Sequence, residues 1–276
     1  MKIVAHISDP HFGTEDPAVT AGLFDELAGR TGDAPALVLV SGDLTQRAKE
    51  EQFRAARGFL DSLPAPYLTV PGNHDVPLYD LWDRLVHPLD RYRKYVTEEL
   101  MPTYADDVVA VVGLTTAHGF TVKDGKVTIE QALAAASFLA AQGDRFKMVL
   151  AHHPFVLPAG RSSKDRVHGA EVATPILRDA GAALVLSGHL HIAYASDAAG
   201  FRDPSRELIA VHAGTCTSTR RRGEPNGYNR LLLDGDVLTI QQRVWGGARF
   251  VDGPQKTYRR TDGLWHHADA EAIVAA

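Results

Sequence analysis

Tyr67-Leu68-Thr69-Val70-Pro71-Gly72-Asn73-His74-Asp75 passes within a few residues from an apolar, β-branched run to a polar and conformationally free tetrad. The run reads as a strand that the Pro-Gly pair ends. Gly72-Asn73-His74-Asp75 has no core role to play, and its plainest reading is a helix start capped by Asn73 or Asp75. The same arrangement recurs outward along the chain. Ile3–Ile7 precedes Asp9-Pro10-His11, and Ala36–Val40 precedes Gly42-Asp43. Phe146–Leu150 precedes Ala151-His152-His153, and Ala182–Leu186 precedes Gly188-His189-Leu190-His191. Singly, these read as a turn, a loop entry or a satisfied histidine pair. His189 and His191 are more ligand-like, because their spacing puts both imidazoles on one side of an extended segment.

Jointly the clusters say more. The first four runs alternate with helix-like stretches, and ligands of open α/β sheets bind beyond the carboxyl ends of the strands. All five clusters are therefore expected along one edge of one sheet. Their donors are carboxylate, imidazole and amide without thiolate, a set for divalent ions rather than a structural zinc.

The ordered series resembles the calcineurin-like metallophosphoesterase superfamily over about two-thirds of the chain. The spacing and the Gly-His-Leu-His ending are most similar to its bacterial class III cyclic-nucleotide and glycerophosphodiester phosphodiesterases. That resemblance implies one metal held by Asp9, His11 and His191, and another by Asn73, His152 and His189. Asp43 would bridge them, with manganese, iron or zinc as the ions. The resemblance implies His152 rather than His153 as the ligand, because in this family the ligand is the first residue after the strand, followed by one further residue and then Pro or Gly. His153 would lie behind the ligands or face substrate. His74 would lie over the site and serve the leaving group or the phosphoryl oxygens.

The chemistry asks for these residue types. Two cations about 3.5–4 Å apart lower the pKa of a shared water and clamp phosphoryl oxygens during in-line displacement. A bridging carboxylate with neutral imidazoles and an amide leaves the site cationic, which attracts an anionic ester. A leaving alkoxide needs a proton or a positive partner, the part given to His74. The expected activity is hydrolysis of small phosphodiesters by a metal-bridging hydroxide. Gln46 departs from the family, where many relatives carry an acid that orients the histidine equivalent to His74. Gln46 can accept a hydrogen bond from it, and Asp75 either substitutes or only caps. The competing activities are a lipid-linked diphosphate hydrolase, a repair-type nuclease, a promiscuous phosphomonoesterase and a non-catalytic scaffold. The first usually has Arg where His74 stands, and the nuclease carries a DNA-capping domain. A scaffold loses ligands, and none is lost here.

Residues 1–276 read as one domain, since the motifs span positions 9 to 191. Hydrophobic content of 45% suits a globular chain. No apolar run approaches the roughly 18 residues of a membrane span, and Met1-Lys-Ile-Val starts a strand rather than a signal peptide. A cytoplasmic location is expected. The lone Cys216 excludes an internal disulfide framework and reads as a buried small hydrophobe. The formal charge of -5 argues against broad nucleic-acid binding but admits a small phosphoester. Arg220-Arg221-Arg222 reads as a solvated loop or a phosphate contact. Arg161 and Lys164, just after the His152 motif, are the expected substrate contacts, with His153 and with His118 on the rim. A homodimer is compatible with the chain, although no residue marks one.

Asp16-Pro17 opens a helix to about Arg30, and a second spans Ala48 to Ser62. Leu78–Met101 reads as a helical region broken by Pro88, with Leu81, Leu85, Leu89 and Tyr92 as a stripe that packs on the sheet or forms a lid. Val108–Leu114 reads as a strand and Ile129–Ala141 as a helix. Beyond His191, strands Glu207–His212, Tyr228–Leu233 and Val237–Val244, the last two joined at Asp234-Gly235, suggest a second, largely antiparallel sheet. The fold class is then α/β, a four-layer αββα sandwich of two mixed sheets with a dinuclear site at strand C-terminal ends. His212 is expected to be a satisfied core histidine, and the tail from about 257 to fray with His266 and His267 on its surface.

Overall fold

The apolar, β-branched runs form strands, and the stretches with helical periodicity form helices. Their order is β1 (Lys2–Ile7), α1 (Pro17–Leu27), β2 (Leu37–Val40), α2 (Glu50–Ser62), β3 (Tyr67–Thr69), α3 (Leu81–Val86), α4 (Asp90–Tyr95), β4 (Thr103–Ala105) and β5 (Val109–Leu114). There follow α5 (Ile129–Ala140), β6 (Phe146–Ala151), α6 (Ala170–Asp179), β7 (Leu184–Ser187), β8 (Tyr194–Asp197), β9 (Ile209–His212), β10 (Gly227–Asp234), β11 (Val237–Trp245), β12 (Phe250–Thr261) and β13 (Leu264–His267). This computed structural model describes residues 1–158, 161–197 and 208–268. Asp16 caps α1 through the Ala18 and Val19 amides, with Pro17 at the first position, as the sequence suggested.

The strands make two mixed sheets, ordered β13-β12-β11-β10-β1-β2-β3 and β4-β5-β6-β7-β9-β8. Three apolar clusters fill the spaces between layers. Ala5, Ile7, Val38 and Val40 meet Val19, Leu23, Phe53 and Phe59 of α1 and α2 outside the first sheet. Val4, Leu39 and Leu68 meet Val111, Leu150 and Leu186 between the sheets. Val112, Val149 and Val185 meet Ala132, Leu139 and Leu177 of α5 and α6 outside the second. The period of two along each strand separates these sets, giving the αββα sandwich.

Three expectations need correction. The five polar clusters do not share one sheet: β1, β2 and β3 belong to the first, and β6 and β7 to the second. The strands beyond His191 do not form a sheet of their own. β10 pairs antiparallel with β1, so β10 to β13 extend the first sheet, whereas β9 runs parallel to β7. The chain does not fray from 257, because β12 pairs with β13, where His266 and His267 lie beside the buried Trp265. The β10–β11 turn is Gly235-Asp236, with Gly235 at φ +58°. Glu207 and residues 269–276, which earlier expectations included, lie outside the described residues.

The expected stripe over 78–101 divides at Pro88. Leu89 and Tyr92 join the outer core, whereas Leu81, Trp82 and Leu85 are 67%, 70% and 54% exposed. α3 turns its buried Arg84 inward instead, where the guanidinium donates to Pro77 O and Thr121 O.

Candidate metal centre

Each expected donor stands in the loop that leaves a parallel strand. Asp9 and His11 follow β1, Asp43 follows β2, Asn73 and His74 follow β3, His152 follows β6, and His189 and His191 follow β7. The two sheets face one another, so their loops meet at one end of the sandwich. Five of the seven non-glycine residues with positive φ among the described residues are Asp9, His11, Asp43, His189 and His191. Such backbone persists where the surroundings over-determine it, which is typical of functional sites. Here Asp9 N donates to Gly42 O at 3.1 Å, and His11 N donates to Asp43 O at 3.1 Å. The buried Asp75 carboxylate accepts from Gly72 N, Leu44 N and Thr45 N at 2.9, 3.1 and 2.8 Å, tying two loops together. Two glycines permit the close approach: a Cβ on Gly72 would strike the Asp43 carboxylate, and one on Gly188 would strike Ser8 Oγ and Asp9 Oδ2.

The donors fall into two groups. Donor atoms of Asp9, His11, Asp43 and His191 lie within 4.8 Å of one another. His11 Nε2 is 3.6 Å from Asp9 Oδ1 and 3.7 Å from Asp43 Oδ2, and His191 Nε2 is 3.4 Å from Asp9 Oδ1. In the second group, Asn73 Oδ1 lies 3.1 Å from His152 Nε2 and 3.0 Å from His189 Nδ1. Asn73 Nδ2 donates to Val122 O, which leaves Oδ1 facing the rings. His152 Nε2 is 3.4 Å from Asp43 Oδ1. Asp43 thus offers one carboxylate oxygen to each group.

The donor set fits cations. Asp9 Oδ1 is buried with no hydrogen-bond partner. His152 Nδ1 donates to Ser41 O at 2.7 Å and His191 Nδ1 to Arg220 O at 3.1 Å, which leaves each Nε2 as a lone pair aimed inward. Burial pushes the Asp43 carboxyl up, but the His152, His74 and His11 imidazoles outweigh it and hold the group well below the carboxylate range. Burial likewise pushes His152 down, yet the Asp43 carboxylate carries it up to about 9, so without a cation the ring holds a second proton on Nε2, which a metal ion would displace.

His153 is buried within the second group, but both its nitrogens are committed to protein. Nδ1 meets Thr116 Oγ1 at 2.8 Å, and Nε2 donates to Lys123 O at 3.0 Å. Arg161 and Lys164 are exposed, and among the described residues no hydrogen bond joins their side chains to the donors. His118 is half-buried beside Phe120, apart from both groups. His212 is the satisfied core histidine expected, with Nδ1 at 3.0 Å from Ser187 Oγ and Nε2 at 2.8 Å from Val156 O. Cys216 is buried, and burial pushes its thiol up to about 12.

His74 is held by a group that side-chain reading overlooks. Its Nδ1 donates to the backbone carbonyl of Gln46 at 2.8 Å, whereas the Gln46 side chain accepts from Arg220 at 3.2 Å. Arg47, unremarkable in the sequence, lies 3.2 Å from Nδ1 and donates to the same carbonyl. Arg220 lies 3.2 Å from Nε2. Burial, outweighing the pull of Asp43, lowers the His74 pKa.

The family model described as calcineurin-like phosphoesterase matches residues 3–193. The chain belongs to the calcineurin-like phosphoesterase family. It is a phosphoric ester hydrolase with a metal-binding Asp/His cluster. A glycerophosphodiester phosphodiesterase of Enterobacter lignolyticus is 26% identical over 200 residues, covering 68% of this chain and 70% of that protein. A cAMP/cGMP dual specificity phosphodiesterase of Mycobacterium tuberculosis is 26% identical over 280 residues, covering 90% and 81%. The fold is similar to that of PhoD, with TM-score 0.73, 11% identity and coverage of 97% and 71%. It is also similar to a dimetal phosphatase from Danio rerio, with TM-score 0.65, 11% identity and coverage of 91% and 98%.

Proposed function

We propose that the chain is a dinuclear phosphodiesterase for small diesters of the glycerophosphodiester or cyclic-nucleotide type. The observation that carries this reading is the Asp43 carboxylate, whose Oδ2 faces His11 at 3.7 Å and whose Oδ1 faces His152 at 3.4 Å. A carboxylate so placed suits a shared ligand between two ions. Asp9, His11 and His191 would hold one, and Asn73, His152 and His189 the other. When bound, such a pair activates water and neutralises phosphoryl charge. The names of the two phosphodiesterase relatives support the substrate class.

The chain's own groups supply the rest. The backbone carbonyls of Ser41 and Arg220 fix two donor rings in the tautomer that leaves Nε2 free. Asp43 Oδ1 also accepts from the His74 amide at 2.8 Å, which places that residue beside the shared carboxylate. His74 then presents its Nε2 edge to the leaving group, and the Gln46 carbonyl fixes the ring's orientation.

The test uses metal-stripped protein reconstituted separately with manganese, iron and zinc, then assayed on bis(p-nitrophenyl) phosphate and p-nitrophenyl phosphate. Metal-dependent turnover favouring the diester is expected. Monoester preference overturns the diesterase reading, as does metal loading without turnover of either substrate.

A further inference from the structure

Arg220 stands beyond the stretch that matches the family, which ends at residue 193, yet it reaches the centre of the site. The turn that carries it is stitched to the first motif loop. Thr215 Oγ1 donates to Asp9 O at 2.6 Å, Thr217 Oγ1 to Pro10 O at 3.0 Å, and Thr219 N and Oγ1 to Thr14 O at 2.9 and 3.0 Å. From inside, Asn226 Nδ2 donates to Ser218 O at 2.8 Å. The half-buried guanidinium is therefore placed by a fixed frame. Its Nη1 lies 3.2 Å from His74 Nε2 and 3.2 Å from Gln46 Oε1, and among the described residues it enters no ion pair.

The tautomer of His74 gives this contact its meaning. Of the two neighbours of Nδ1, the Gln46 carbonyl at 2.8 Å can only accept and is nearer than Arg47 Nη1 at 3.2 Å, which itself donates to that carbonyl; the ring proton is therefore assigned to Nδ1, and Nε2 is the acceptor that faces Arg220. A guanidinium carries five N–H donors, so while one serves Nε2 another can meet an oxygen seated at that ring edge. We infer that Arg220 is the permanent positive charge that meets the leaving-group oxygen beside His74. This assignment rests on the diesterase reading above.

Hydrolysis replaces the phosphorus–oxygen bond to the leaving group by a bond to the oxygen of water. The bonding pair stays on the leaving oxygen, which is met by the guanidinium as the bond breaks, takes its proton from solvent water and departs as an alcohol. Negative charge on that oxygen peaks as the bond breaks, and it peaks most for a basic leaving group. A guanidinium keeps its charge throughout and donates through a rigid fork. Its worth therefore rises with the basicity of the leaving group, unlike that of a group which only grips the non-bridging oxygens. Removal of one such donor costs about 10²–10³-fold in rate.

The test compares wild type with Arg220→Ala on bis(4-nitrophenyl), bis(4-chlorophenyl) and diphenyl phosphate, with metal content and circular dichroism measured alongside. The expected loss in kcat/KM is small for the nitrophenyl ester and climbs toward about 10²–10³-fold for the phenyl ester. Added guanidinium should restore the phenyl ester preferentially. An equal loss across the series overturns the assignment while leaving the diesterase reading intact, and wild-type inactivity on all three sinks that reading instead. Should Arg220→Ala lose metal or fold, Arg220→Lys against Arg220→Gln carries the same comparison, with Lys retaining part of the leaving-group dependence. Ring-nitrogen NMR of His74 tests the geometry without turnover. A proton on Nε2 in the wild type, or an Nε2 signal unmoved in Arg220→Ala, would refute the contact.

Discussion

His11 Nε2 and His191 Nε2 lie 3.4 Å apart, and each ring turns its other nitrogen to a backbone carbonyl, Thr45 O at 3.4 Å and Arg220 O at 3.1 Å. Carbonyls fix the protons on Nδ1, so two lone pairs and the unpartnered Asp9 Oδ1 crowd one small volume. A cation relieves that repulsion. Removing metal with a chelator should lower the melting temperature, and restoring it at about a thousandfold excess over Kd should recover roughly 4 kcal/mol. Calorimetry of stripped and reloaded protein checks this, and identical melting temperatures would contradict it.

Asp43→Ala deletes the carboxylate that faces both donor groups. Metal content by elemental analysis and diester turnover should fall together. Turnover preserved at full metal loading would show that Asp43 is not shared.

His152→Ala and His153→Ala should separate sharply although the residues are adjacent. His153 binds Thr116 and Lys123 rather than facing the other donors with a free nitrogen, so its loss should cost about 1–3 kcal/mol of stability and leave metal in place. His152→Ala should empty one ion site. An emptied site in His153→Ala would exchange the two assignments.

Gly188→Ala tests the close packing behind Asp9. The added methyl meets Ser8 Oγ and Asp9 Oδ2, so the carboxylate must move. Weakened metal binding is expected with circular dichroism unchanged. Wild-type affinity would mean that the loop gives way without disturbing Asp9.

Away from the centre, Glu26 joins α1 to β10 and β11. Arg243 donates to it through Nε at 2.9 Å and Nη2 at 3.0 Å, and Tyr228 OH donates at 3.0 Å. Burial pushes this carboxyl up, but Arg243, Thr31 and Tyr228 outweigh it and hold it below 4.5. A depressed carboxyl stabilises the fold above its unfolded value, and that contribution disappears as pH falls through the folded value. Glu26→Gln should cost on the order of 3 kcal/mol at pH 7. In urea titrations the gap from wild type should close below pH 4.5; a gap constant down to acid would remove the ion pair from the explanation.

That the candidate donors would gather at strand ends was legible in the sequence, because metal binding restricts residue type and each cluster follows an apolar, β-branched run. Sheet membership was not. Ile3–Ile7 and Phe146–Leu150 are equally apolar, and nothing local says that the first borders Gly227–Asp234 while the second borders Leu184–Ser187. The orienter of His74 left no trace because every residue has a carbonyl, so the identity of Gln46 was beside the point. Arg220 looked like any charged turn until Thr215, Thr217 and Thr219 fixed where that turn lies. Leu81 and Leu85 kept helical spacing but lost their packing partner when the chain turned at Pro88.

The antiparallel register Lys2↔Leu233 to His6↔Asn229 has a consequence for biosynthesis. Every proposed donor precedes β10 in the chain, and β1 remains an edge strand with bare amides and carbonyls until β10 emerges. A chain ended at residue 193 keeps all that the family model matches. Such a chain also lacks the Arg220 carbonyl that holds His191 and the 215–219 turn that holds the Asp9 loop. It should self-associate through that open edge rather than behave as a smaller enzyme.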